Sequence, residues 1–210
     1  MYPTVEVRWF YPGQVPAKVE AWFQQGAGRV ERPPCREDHY LRLTDPQALG
    51  IKLREGRIEV KKRVREHGVV RFHKRVTGIV EHWRKWGFQL AEAHRALSSI
   101  AVPTTSWIRV SKERMLRTYR LTVDKCVVPV SASELPRQGC ELELSRVHVA
   151  GQDWWTLAFE AFGDESVLQE QFVLVTQHVF AAEESPSLSA PESRGYADWL
   201  GRVARKQETV

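Results

Sequence analysis

Two neighbouring apolar runs carry a charge on every second residue: Lys52-Leu53-Arg54, then Ile58-Glu59-Val60-Lys61-Lys62-Arg63. A two-residue period is that of a β-strand, so Lys52 and Arg54 share one face, and Glu59, Lys61 and Arg63 share a face of the adjacent strand. Ile108-Arg109-Val110-Ser111-Lys112-Glu113-Arg114 alternates in the same way and pairs Lys112 with Arg114. Alternation alone leaves two placements open, an ordinary solvated surface or the lining of an enclosed space. Crowding cations around an enclosed space is costly unless an anion fills it, so a basic barrel interior implies a phosphate-type ligand.

The elements that must position these residues read as a meander of antiparallel strands with a few helices. Val5 to Phe10 is a first strand with Glu6 and Arg8 on one face, stopped by Tyr11-Pro12-Gly13. A short helix is expected from Val15 to Gln25, and strand character resumes at Asp38-His39-Tyr40-Leu41-Arg42-Leu43 before the turn Thr44-Asp45-Pro46. Glu55-Gly56 makes a hairpin of the Lys52 strand and a strand from Ile58 to Val64. Val80 to Phe88 is a further strand, with Trp83 and Lys85 on one side and His82, Arg84 and Trp86 on the other; Ala91 to Ser99 reads as a short helix. Gly151 joins the strand at Cys140-Glu141-Leu142-Glu143-Leu144 to the one at Trp154 to Gly163. From Val167 to Phe180 the period changes, with Leu168, Phe172, Val175 and Val179 on one helical face. Residues 185–191 read as a Ser/Pro linker, and Tyr196, Leu200 and Val203 make a short amphipathic helix that docks on the barrel.

At 210 residues the chain suits one domain, and a hydrophobic share of 42% with eight Trp argues against disorder. No apolar run approaches the length of a membrane span, and no secretory signal is visible at the N-terminus. Cys35, Cys126 and Cys140 form no CxxC and cannot all pair, which favours reduced thiols and a cytoplasmic protein. The net charge of +5 is unevenly spread: ten Lys or Arg stand against three Glu from Lys52 to Arg75. A local excess of this kind suits an anionic partner. The stretch from Arg65 to Lys85 also admits a nucleic-acid reading, though His73-Lys74-Arg75 and Trp83-Arg84-Lys85-Trp86 interleave base and aromatic only weakly. Seven histidines show no zinc-ligand spacing, and neither a P-loop nor a G-x-S-x-G elbow is present.

Taken in order, the charged strands resemble the CYTH superfamily, the triphosphate tunnel enzymes that include thiamine triphosphatases and inorganic tripolyphosphatases. The resemblance is distributed over most of residues 4–200. Thr4-Val5-Glu6-Val7-Arg8 is similar to the family's opening E-x-E-x-K strand, and Asp38-His39-Tyr40-Leu41 to its tyrosine-bearing strand. Lys52-Leu53-Arg54 and Glu59-Val60-Lys61 resemble its R-x-R and T-x-K strands, and Lys112-Glu113-Arg114 its later K-x-R strand. Ala158-Phe159-Glu160 aligns with the final E-x-E strand, and Tyr196-Ala197-Asp198-Trp199-Leu200 with the tail of many members.

This resemblance implies an α+β fold: an antiparallel β-barrel, or tunnel, of about eight strands with a few flanking helices. It implies a tunnel domain over residues 1–182, a linker over 183–192, and a C-terminal helix and tail over 193–210 docking on the same domain. Arg8, Lys52, Arg54, Lys61, Arg63, Lys112 and Arg114 would grip a small phosphate-containing anion. Glu6, Glu141, Glu143 and Glu160 would hold Mg²⁺ or Mn²⁺, since hard divalent cations take carboxylate oxygens and phosphate takes guanidinium and ammonium donors. Two of the family's four usual glutamate places are Thr4 and Ala158 here, with Glu141 and Glu143 on a neighbouring strand as substitutes and Glu59 as a further candidate. The function implied is binding of a polyphosphate or organic triphosphate, with metal-dependent hydrolysis left open. The alternatives are a non-catalytic anion-binding barrel and a nucleic-acid binder. For Glu6 and Glu160 a structural salt bridge competes with metal binding, and Tyr40, Trp154, Trp155 and Trp199 read as packing.

Overall fold

The computed structural model describes residues 1–43, 47–90, 106–131, 134, 136–182 and 184–207, the side chains of 206 and 207 excepted. The expected turn at Thr44-Asp45-Pro46 and the expected helix from Ala91 to Ser99 lie outside the described residues. Nine strands form one antiparallel sheet: β1 (Tyr2–Pro12), β2 (Arg36–Leu41), β3 (Leu49–Arg54), β4 (Arg57–His73), β5 (Val76–Gln89), β6 (Trp107–Leu121), β7 (Val127–Val130), β8 (Gly139–Val149) and β9 (Gln152–Phe162). They run in the order β2-β3-β4-β5-β1-β9-β8-β6, and β6 pairs back onto β2, which closes an eight-stranded barrel; β7 adds to the far half of β6. Closure matters because it removes the free edges on which an open sheet would aggregate.

Local chemistry accounts for two of the hairpins. Arg54 pairs with Arg57 across Glu55 and Gly56, both at positive φ (49° and 73°), and Val149 pairs with Gln152 across Ala150 and Gly151 (54° and 73°). Two successive positive φ values give the turn whose twist matches that of the flanking strands. β4 runs well past the expected end at Val64, because it stays paired with β5 through three bulges until the turn at Lys74 and Arg75. The run His73-Lys74-Arg75 is therefore the tip of a hairpin.

The sheet is buried on both faces, with opposite chemistry. Outward-facing Val7, Trp9, Leu142, Leu144, Leu157 and Phe159 pack against α1 (Ala17–Gln25) and α2 (Glu165–Phe180). From α1 come Val19, Trp22 and Phe23. From α2 come Leu168, Phe172, Val175 and Phe180, and Val179, expected on the same face, packs against them partly buried. The main apolar core thus lies outside the barrel, which leaves the interior free for charge. α1 ends without a basic last turn of its own. Arg117, buried on β6, takes that role: it donates to the carbonyls of Phe23 and Gln24 at 2.9 and 2.7 Å and to Ala27 at 2.6 Å. The Phe23 and Gln24 carbonyls are among the orphan acceptors a helix C-terminus leaves, and Ala27 follows the C-cap at Gly26.

One end of the barrel interior is closed by a second apolar cluster. Phe10, Tyr40, Val110 and Val147 point inward and meet Trp199, Leu200 and Val203 of α3 (Tyr196–Gln207). The segment expected as a linker over 183–192 is instead hydrogen-bonded into the wall over its second half. β1 and β5 pair only from Tyr2 with Lys85 to Glu6 with Glu81. Where they part, Thr77 N donates to Leu188 O at 2.9 Å, Ile79 N to Ser193 Oγ at 2.8 Å, and Arg194 N to Arg8 O at 3.0 Å. Gly195 follows, so close to the barrel that a Cβ there would lie 2.9 Å from both Glu81 and Trp83. That approach places Tyr196 over the interior. No helix among the described residues is long and apolar enough to cross a membrane.

Arg117→Met keeps the bulk and removes the donors, leaving α1's carbonyls buried and unpaired. We expect it to cost about 3 kcal/mol in urea unfolding, on the scale of several lost buried hydrogen bonds. A loss below about 0.5 kcal/mol would show that Arg117 does not hold α1.

Candidate functional site

In an antiparallel sheet, directly opposite residues project from the same face. The register puts Glu6 of β1 opposite Glu160 of β9 and Glu81 of β5, and Glu160 opposite Glu141 of β8. Four carboxylates therefore stand in one row across four adjacent strands, facing inward. Like charges directly opposite destabilise a sheet, and the neighbouring strands supply the remedy. Lys61 binds Glu6, Lys85 binds Glu160, and Arg63 Nη1 lies 2.6 Å from Glu81. Among the described residues Glu141 forms no ion pair.

A second level holds the arginines. Arg8 Nη1 donates to Glu143 Oε1 and to Thr156 Oγ1, each at 2.7 Å, and Arg114 approaches the other Glu143 oxygen at 3.8 Å. Toward the closed end, Lys112 is 3% exposed. Its ammonium lies 3.0 Å from Asp38 Oδ2, donates to Tyr40 Oη at 2.7 Å, and sits 3.7 Å from the centre of the Tyr196 ring. Asp38 itself is fully buried, with Arg36 Nε at 3.5 Å. On β3, Lys52 at 2.8 Å and Arg54 share Glu59.

These groups enclose a cavity of about 430 Å³. Six of the seven cations expected as anion ligands line it (Arg8, Lys52, Arg54, Lys61, Lys112 and Arg114), as do all four glutamates expected as metal ligands (Glu6, Glu141, Glu143 and Glu160). Arg63 does not: it is drawn to Glu81 and Glu66 and stands outside the cavity lining. Two lining cations escaped the sequence reading. Lys85 was placed on a face with Trp83, but its neighbours Arg84 and Trp86 hid any charged row. Arg36 falls just after Pro33-Pro34, before the point where strand character was expected to begin. Asp38 was read only as part of the tyrosine strand, although its burial beneath Lys112 fixes that ammonium. Of the stretch read as a nucleic-acid surface, Lys85 lies inside and Arg84 is held at 2.8 Å by Glu165, which leaves exposed Arg65, Arg71, Lys74 and Arg75 on the hairpin.

Burial and neighbouring charge pull the titrations apart. Burial alone would raise Glu143 and Glu160, but Arg8 and Lys112 outweigh it for the first and Lys85 and Lys61 for the second, so both are held at about 2. The same contest, won by Lys112, Lys52 and Arg36, holds Asp38 well below the carboxylate range. Lys61 is pushed down to about 8 by burial, which Glu6 only partly offsets, and burial takes Lys112 well below its ordinary value. Glu141 goes the other way: burial first, then Glu143 and Glu160, push it up to about 7. Glu81 also rises to about 7, through burial and Glu6. The described residues gather no group of three or more His, Cys, Asp or Glu arranged around a common metal position. In this arrangement Glu6, Glu143 and Glu160 serve as counter-charges to Lys61, Arg8 and Lys85.

Fold and site together define a closed eight-stranded antiparallel barrel with an ion-paired interior. No protein-family model matches the chain, and no curated protein matches it. Among solved structures, a conserved hypothetical protein from Pyrococcus furiosus is similar over 93% of this chain and 98% of its own, at 16% identity and a TM-score of 0.43.

The Glu141 titration has a sign that can be measured. The unfolded chain ionises near the ordinary 4.5, while the folded carboxyl keeps its proton to about 7. Between those values the native state binds more protons, so Glu141 erodes stability as the pH rises from 4.5 to 7 and not below. Glu141→Gln should be indistinguishable from wild type at pH 4 and more stable at pH 8 by on the order of 1–2 kcal/mol, read by denaturant unfolding. A variant less stable at pH 8 would mean that the ionised carboxylate is satisfied.

Proposed function

We propose that the barrel interior binds a compact polyanion, a polyphosphate or an organic triphosphate. One observation carries the reading: eight Lys or Arg side chains from six strands line a single cavity of about 430 Å³. Five glutamates line it too, leaving an excess of three positive charges, reduced to two by Asp38 beneath Lys112. A buried cationic excess is unfavourable until an anion offsets it. Burial disfavours the charged forms of Lys61 and Lys112, and phosphate oxygens would favour them through charge-assisted bonds, which are the strong ones. An entering phosphate chain would compete with Glu6 and Glu160 for Lys61 and Lys85.

The binding reading stands ahead of a hydrolytic one. Divalent-metal catalysis would call on Glu6, Glu141, Glu143 and Glu160 to hold Mg²⁺ or Mn²⁺, and three of these are engaged by cations. At two places where the resembling family carries glutamate, this chain has Thr4 and Ala158, both buried.

Tripolyphosphate should raise the melting temperature and bind in calorimetry, and Arg54→Ala and Lys61→Ala should each weaken it at least about tenfold, or about 1.4 kcal/mol. Unchanged affinity in both variants would place the anion elsewhere. Phosphate release from tripolyphosphate and organic triphosphates, with Mg²⁺ or Mn²⁺, decides between binder and hydrolase. Turnover that appears only after Thr4→Glu and Ala158→Glu identifies the native chain as a binder.

A further inference from the structure

Two histidines meet on the barrel wall without lining the tunnel. His67 of β4 and His82 of β5 have ring centres 4.6 Å apart, with their planes inclined at 47°. They stand fifteen residues apart in the chain, and strand pairing is what joins them. Arg65 pairs with His82 and Glu66 with Glu81, and the register then shifts before Val69 pairs with Ile79. His67 and Gly68 occupy that bulge, where Gly68 takes a φ of 70°, a left-handed conformation open to glycine. Bulges re-aim side chains, and this one sets a second imidazole beside His82. Among the described residues neither ring has a carboxylate partner, and Glu66, next to His67, is taken by Arg63 at 2.5 Å.

The ring nitrogens suit a metal. His82 Nε2 lies 3.1 Å from Oε1 of Gln169 on α2. An amide oxygen only accepts, so the neutral ring donates from Nε2 and keeps its lone pair on Nδ1. Metal-bound imidazoles are held in this way, with the far N–H on a carbonyl or carboxylate. The same helix fixes the neighbouring strand position, since Glu165, one turn before Gln169, holds Arg84 at 2.8 Å. His67 Nε2 is buried and has no hydrogen-bond partner among the described residues. A ring-to-ring contact accounts for the proximity but not for a bare buried nitrogen. Burial, then His82 and Arg65, lower the His67 pKa, which keeps that ring neutral at pH 7 as a metal ligand must be.

The separation selects the ion. With metal–nitrogen bonds of about 2.0–2.1 Å, two imidazoles at right angles on one ion have centres about 4.5 Å apart, against about 5.2 Å at a tetrahedral angle. The observed 4.6 Å matches the right-angled arrangement, which tetragonal ions prefer and tetrahedral zinc does not. We propose that His67 and His82 form a two-imidazole site for a tetragonal divalent transition metal, Cu²⁺ or Ni²⁺, with water on its remaining positions. The described residues bring no third His, Cys, Asp or Glu to the ion, so binding is moderate and the metal stays open to solvent. Mg²⁺ takes oxygen ligands and is not served by this pair.

The test uses the full chain without a histidine tag, at about pH 7.5, where free imidazole is largely neutral. One equivalent of Cu²⁺ should give a tetragonal electron paramagnetic resonance spectrum coupled to two imidazole nitrogens. Ni²⁺ should bind in calorimetry with a Kd below about 100 µM, and His67→Asn and His82→Asn should each weaken it at least about tenfold. Millimolar Mg²⁺ should not compete. His148→Asn, which removes the exposed ring paired with Asp153, should leave Ni²⁺ affinity unchanged. The Cu²⁺ spectrum is read on the native chain, so it decides even where a variant fails to fold. Coupling to fewer than two imidazoles, undiminished Ni²⁺ affinity in either His67→Asn or His82→Asn, or loss of binding in His148→Asn would each overturn the proposal.

Discussion

Charge balance across the inner face of the sheet is the constraint on which this structure depends. Register alone would set Glu81, Glu6, Glu160 and Glu141 side by side, an arrangement no sheet tolerates without counter-ions. Lys61, Arg63 and Lys85 supply them from β4 and β5, so the pairing of those two strands with β1 is an electrostatic requirement as well as a hydrogen-bonded one. Buried ion pairs of this kind add little net stability, because desolvation absorbs most of the attraction. Stability must therefore come from elsewhere, and the apolar layer between the barrel's outer face and the two helices α1 and α2 provides it.

That division of labour explains the architecture. A sheet with its core on the outside can keep a polar interior, as a closed barrel of eight strands leaves room for side chains and one small ligand. α3 then seals one end with aromatic and aliphatic groups, and Tyr196 faces the cations it helps to enclose. Glu141 lines the cavity without an ion pair among the described residues, so its protonation responds to a change in the cavity's charge.

Much of the site was legible in the chain because a strand's period is two. Lys52 with Arg54, and Lys112 with Arg114, had to share a face, and the Glu55-Gly56 turn fixed which strands meet. Whether those faces point inward was not legible, since it depends on closure by β2 against β6, a pairing with no local signal. Lys85 and Arg36 were missed for a related reason: one sits in a run without clean alternation and the other at a strand start masked by two prolines. The engagement of Arg63 by Glu81 needed the β4–β5 register, which shifts at its bulges. The segment 188–194 carries the Ser and Pro of a linker, yet it fills the gap where β1 and β5 part.

Crystals grown with tripolyphosphate test most directly whether the ion-paired interior holds an anion. We predict phosphorus density inside the barrel, in contact with Lys52, Lys61 and Arg8, with Lys61 moved off Glu6. Tripolyphosphate confined to the outer hairpin around Arg65 and Arg71, with the interior ion pairs unchanged, would contradict it.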